Sequence, residues 1–138
     1  MIQEEKEALI IKDLCARLPY HIKGNFNGDI VDIISVGIRD TFNSVQIVKD
    51  AYTDRTSWEN INNIKPYLRP MSSMTEEERK EATQFEINNL GPIGCNWNLL
   101  VSNSSKLVDW LLVHHFDYRG LIPMGLAMEA PRDMYKEN

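Results

Sequence analysis

The chain has 138 residues, the length of one ordinary domain, and can bury a core without disulfide or metal staples. Its 20 acidic against 15 basic residues give a formal net charge of -5, and the basic side chains are dispersed, which together work against binding a phosphate backbone. The purely apolar runs, such as Ala8 to Ile11 and Trp110 to Val113, span four residues against the roughly 20 that a bilayer crossing needs, so no membrane partner is expected.

The start, Met-Ile-Gln-Glu-Glu, is acidic where a secretory signal needs a basic segment, which predicts a cytoplasmic protein. From about Gln3 to Leu18 the residues Ile11, Leu14, Cys15 and Leu18 fall at i, i+3, i+4 and i+7, predicting an amphipathic helix with Asp13 elsewhere on the wheel and Pro19 at its end. On that wheel Cys15 is core packing rather than a nucleophile. His21 to Phe26, Asn27-Gly28 and Asp29 to Ile38 read as strand, tight turn and strand, because both turn residues tolerate a positive φ. The second strand is nearly continuously apolar, with Ile30, Val31, Ile33, Ile34, Val36 and Ile38, and is expected to be central and covered on both faces, with Gly37 as a bulge. Ser44 to Val48 alternates as a third strand.

Tyr52 to Asn63 is polar and reads as a surface loop anchored by Trp58, and Ile64 to Pro70 as an extended segment on a sheet edge or the surface, because Pro66 and Pro70 lack backbone donors. Thr75-Glu76-Glu77-Glu78 is a capping box, so a helix is predicted from there to about Asn88, with Ala82, Phe85 and Ile87 inward and Gly91-Pro92 as its stop. Gly91 to Asn103 reads as irregular, with Trp97, Leu99 and Val101 alternating, and Cys95 in it carries no nearby base. Ser104 or Ser105 caps a well-buried helix through Val113, and Gly120 marks its limit. Leu121 to Ala130 is at most a short helix begun by Pro123, and the tail from Pro131 is expected to be loosely held.

The expected architecture is therefore a single α+β domain over residues 1–138: a small antiparallel sheet of about three or four strands at about 20–50, an N-terminal helix at 3–18 packed on it, and two further helices in a helical C-terminal half at 75–130.

One corner concentrates ionisable residues. His114, His115, Asp117, Tyr118 and Arg119 lie within six positions, and all are types that acid–base chemistry and metal binding draw on. Adjacent histidines on a helix diverge by about 100°, so a chelate from this pair needs a third ligand from elsewhere. The structural reading is that the histidines close a helix C-terminus while Asp117 and Arg119 form a turn and its ion pair. No P-loop, GxGxxG, HExxH or GxSxG is present, and neither cofactor nor metal is expected. Trp58, Tyr67 and Trp97, with Met71, Met74, Met124, Met128 and Met134, lie in segments of weak periodicity and form a candidate contact surface for another protein.

Lys12 to Tyr20, Lys65 to Glu78 (Lys-Pro-Tyr-Leu-Arg-Pro-Met-Ser-Ser-Met-Thr-Glu-Glu-Glu) and His114 to Tyr135 resemble a family of small uncharacterised proteins encoded by Bacteroidales gut bacteria and their phages and prophages. The resemblance implies an intracellular, mobile-element setting and brings no reaction, cofactor or site residue. The expected function is a non-catalytic binding or adaptor role through contact with another protein. The competing expectation is a small metal-assisted, hydrolase-like enzyme using His114, His115 and Asp117.

Overall fold

The first helix, α1 (Gln3–Arg17), carries Glu4 and Glu5 in its first turn and Arg17 in its last, each sign matched to the helix dipole. Its buried face is Ile10, Asp13, Leu14 and Arg17. That face has the expected i, i+3, i+4, i+7 spacing but is displaced by one residue from the apolar stripe, and Cys15 is exposed rather than in the core. The displacement has a physical cause. Asp13 and Arg17 neutralise one another at 2.7 Å, so both enter the interior, an option that a purely apolar pattern does not register. Residues 2–38, 42–50, 55–89 and 105–135 are described by this computed structural model, with backbone alone at positions 50, 85–89 and 105. Cys95, Trp97, Leu99, Val101 and Ser104 lie outside the described residues, as do the side chains of Phe85 and Ile87.

After a 3-10 turn at Leu18–Tyr20 come β1 (Lys23–Phe26) and β2 (Asp29–Gly37), joined by Asn27 and Gly28 with φ of 52° and 91° as the hairpin signal requires. Then follow β3 (Ser44–Asp50), β4 (Arg55–Asn60), β5 (Ile64–Leu68) and, far along the chain, β6 (Met128–Glu129). They form one mixed sheet of six strands in the order β4-β3-β2-β1-β5-β6, antiparallel throughout except for the parallel pair β5–β6. The class is α+β as expected, but the sheet has six strands rather than three or four, and it extends well beyond residue 50. Two segments account for most of the difference. The polar stretch expected as a surface loop contains β4, whose polar side chains are tolerated because that strand is an edge. Ile64 to Leu68 is extended as expected but lies inside the sheet, with Ile64, Pro66, Tyr67 and Leu68 all buried.

β2 is central in strand order yet covered on one face only. Val31 and Ile33 are buried, whereas Ile30 is 56% and Ile34 45% exposed. Its register shift lies between Ile33 and Ser35, not at Gly37. The inner face packs against α1: Ile10 and Leu14 meet Ile22, Val31, Ile33, Val45, Ile47, Ile64 and Leu68, with Leu121 and Ala127 closing the end. Each such side chain contributes roughly 1.5–3 kcal/mol on leaving water.

A second, smaller core lies between the other two helices, α2 (Glu76–Asn89) and α3 (Ser105–Val113), and joins Ala82, Leu107, Leu111, Met74 and Phe116. The capping box at the start of α2 is formed as expected: Glu78 N–H donates to Thr75 Oγ1 at 3.1 Å, and Thr75 N–H donates to Glu78 Oε1 at 3.0 Å. Residues 121–127 form turns rather than a helix, with Gly125 at φ 77°. Among the described residues no helix is long and apolar enough to cross a membrane.

Candidate functional site

The corner around His115 begins with the way α3 stops. His115 has φ 64°, its N–H donates to Leu112 O at 3.0 Å, and Phe116 N–H donates to Leu111 O at 2.9 Å. This pair of bonds is a Schellman termination, with histidine at the left-handed position where glycine or asparagine is usual. The chain then meets β5 sideways. Arg69 N–H donates to His115 O at 2.7 Å and Asp117 N–H donates to Arg69 O at 2.8 Å, a two-bond parallel bridge across Phe116.

Asp117 is buried and does not face the histidines. Its Oδ1 accepts the Leu121 N–H at 2.8 Å and its Oδ2 the Ile122 N–H at 2.9 Å, so the carboxylate caps the turn that follows. Arg119 is not its ion-pair partner, contrary to expectation. Arg119 reaches Asp13 on α1 instead, with Nε 3.2 Å from Oδ1 though not aligned for a hydrogen bond. Arg17, fully buried, donates from Nε to Asp13 Oδ2 and from Nη2 to Phe116 O, both at 2.7 Å. The guanidinium carbons of Arg17 and Arg119 lie over the Tyr118 ring, at 5.8 and 5.0 Å from its centre. Segment 115–122 thus fastens α3, β5 and α1 together.

The histidine rings diverge, as adjacent positions should. His115 is 8% exposed and stacks on Tyr135 with ring centres 3.7 Å apart. Burial, then the positive charge of Arg17, lowers its pKa to about 4, so the ring is neutral near pH 7. His114 packs against Trp110 at 4.4 Å and sets Nδ1 3.8 Å from Glu78 Oε2. That glutamate is already engaged. Arg69 holds it with two bonds of 2.7 Å, and this fork, above all, lowers its pKa to about 2. Arg69 also lies over the Phe116 ring at 4.2 Å.

Both histidines line a cleft of about 780 Å³ bounded by Arg69, Ser73 and Glu78 on one side and by Glu129, Arg132 and Tyr135 of the tail on the other. A second hollow of about 390 Å³ lies beside Pro19, His21 and Lys23, and the two share Val113, His115 and Tyr135. The stacked pair therefore lines both. The tail is not loosely held as far as Tyr135: its hydroxyl donates to Tyr67 O at 2.8 Å and accepts from Lys23 N–H at 3.0 Å. Burial pushes that phenol well above its ordinary pKa.

Chemically, the cleft offers both signs of charge and hydrogen-bonding side chains, but its groups are not arranged for acid–base work. Among the described residues the neutral ring of His115 has no carboxylate partner, Asp117 points to backbone amides, and Glu78 is pinned by Arg69. Among the described residues, no three His, Cys, Asp or Glu side chains come together as a metal site. Of the candidate contact residues, Trp58 is 44% exposed on β4, but Tyr67 is 7% exposed and its hydroxyl accepts from Asn25 Nδ2, so it is part of the sheet rather than of a surface. Met74 is buried, whereas Met124 and Met128 are exposed.

Sequence reasoning missed Asp13, Arg17 and Tyr135. The i, i+4 spacing of the first two was a usable signal; nothing local announced Tyr135. Comparison of the chain with protein-family models, with curated proteins and with solved structures finds no match in any of the three.

Proposed function

We propose that the protein is a non-catalytic binding or adaptor protein of phage or prophage origin in Bacteroidales, acting in the cytoplasm through contact with another protein. The observation that carries this reading is the commitment of the ionisable corner to the backbone: both oxygens of Asp117 are taken by amides, and His115 closes a helix beneath Tyr135. The cleft offers a surface to a partner. It lies beside β6, where the sheet order ends, so an extended partner segment can combine main-chain pairing along that edge with side-chain contacts to His114 and Arg132.

A photo-crosslinking amino acid placed at Arg132, at the cleft, and separately at Thr56, on the opposite edge strand, tests the reading in the native host. An adduct to one defined protein from position 132 and not from position 56 is expected. No adduct from position 132, or equal adducts from both positions, overturns it.

A further inference from the structure

Among the described residues β4 pairs with β3 alone, and its other margin ends the strand order. Val45 pairs with Glu59 and Ile47 with Ser57, so Glu59 and Ser57 share the face that Val45 and Ile47 turn to the core. Ser57 Oγ donates to Glu59 Oε1 at 3.1 Å, as neighbours on one face can. Arg55, two residues before Ser57, points to that face as well. Thr56 and Trp58 point the other way, and the Trp58 ring leans inward across β3: a Cβ on Gly37 of β2 would stand 3.0 Å from it.

A lone type of charge on an exposed edge deters pairing with another chain. β4 instead carries one cation and one anion, Arg55 and Glu59, set symmetrically about Ser57. Two identical antiparallel strands related by a two-fold axis normal to the sheet match residues of the same face, so their register centres on a residue rather than between two. Centred on Ser57, Arg55 lies opposite Glu59 of the second copy, and symmetry makes that ion pair twice. Centred on Thr56 or Trp58, neither charge meets its opposite. Arg55 is exposed and makes no ion pair among the described residues. Lys49 Nζ approaches Glu59 at 3.4 Å on Oε1, the same oxygen that Ser57 uses, which leaves Oε2 for a second cation.

We propose that β4 is a dimerisation edge: a second copy of this chain adds its own β4 antiparallel, centred on Ser57, and continues the sheet across the two-fold axis. Two edges of six residues make a small interface, so the dimer is reversible rather than obligate. It lies at the opposite end of the strand order from β6 and does not depend on the reading of the cleft. A crosslinker at Thr56 would capture this chain itself, a product distinct in mass from the partner adduct at position 132.

Sedimentation over a concentration series tests the proposal on the full chain as wild type, Arg55→Glu and Glu59→Arg, and on an equal mixture of the two variants. The wild type should pass from monomer to dimer as concentration rises. Each variant alone sets like charges opposite one another at both pairs and should associate about tenfold more weakly. The mixture sets opposite charges together again at both pairs and should recover a dimer of wild-type strength. A measure independent of those charges uses Ser57→Cys in a chain whose Cys15 and Cys95 are replaced by serine. Directly opposed residues lie within disulfide reach, so mild oxidation should link two copies at position 57, whereas Lys65→Cys on β5 should give no linked pair. A wild type that stays monomeric at every concentration, charge variants that dimerise as it does, or equal linking from positions 57 and 65 would each overturn the proposal.

Discussion

At the scale of single residues, the side chains that look catalytic in one dimension act on the main chain in three. Asp117 sits three positions after His114, a spacing that on a continuing helix would put them on one face, but the helix has already ended and the carboxylate turns to the amides of Leu121 and Ile122. Removing it leaves two buried or half-buried donors without their charged acceptor. We therefore expect Asp117→Ala to lower unfolding free energy in urea by roughly 2–4 kcal/mol, with Asp117→Asn recovering part of the loss. Wild-type stability in Asp117→Ala would show that the turn does not depend on it. The sequence made this cluster visible because its residue types are conspicuous, yet their roles depended on a left-handed residue at His115, and histidine is a poor local signal for that conformation. The partners that give the cluster its meaning are distant: Arg17 reaches Phe116 O across 99 positions and Tyr135 reaches Lys23 across 112.

At the scale of elements, signals generated within a few residues were legible. The Asn27-Gly28 hairpin, the Thr75 to Glu78 capping box and the helix ending at Arg17 follow from local chemistry and stand where the sequence places them. Elements defined by their neighbours were not. β4 forms because β3 offers it an edge, and β6 is two residues long and owes its existence to β5. The inner face of the sheet also depends on one close approach. A Cβ on Gly24 of β1 would stand 2.8 Å from Ile33 Cδ1, 3.2 Å from Ile64 Cγ2 and 3.3 Å from Lys65 O, so both neighbouring strands would have to give. Gly24→Ala should cost about 1–3 kcal/mol in chemical denaturation. A stabilising effect would mean that the β1–β5 pairing is looser than the register indicates.

At the scale of the whole molecule, α1, the sheet and the two later helices are held together through the segment from His115 to Ile122, and acid should undo that arrangement in a defined window. His115 has a folded pKa of about 4 against an ordinary 6.5, so the unfolded chain binds its proton first; stability is fully present above pH 6.5 and is lost as pH falls toward 4. The size of that loss is on the order of 3 kcal/mol. Glu78, lowered to about 2 from 4.5 chiefly by its bond to Arg69, adds a further loss at more acid pH with the same sign. The most direct measurement is an NMR titration of the His115 ring in the intact chain, with His115→Asn to assign the resonance at a position that keeps the left-handed backbone. The architectural reading predicts a ring that stays neutral until pH falls to about 4. A midpoint at or above 6.5 would contradict it, because an imidazole that takes up its proton so readily would not be sealed beneath Tyr135.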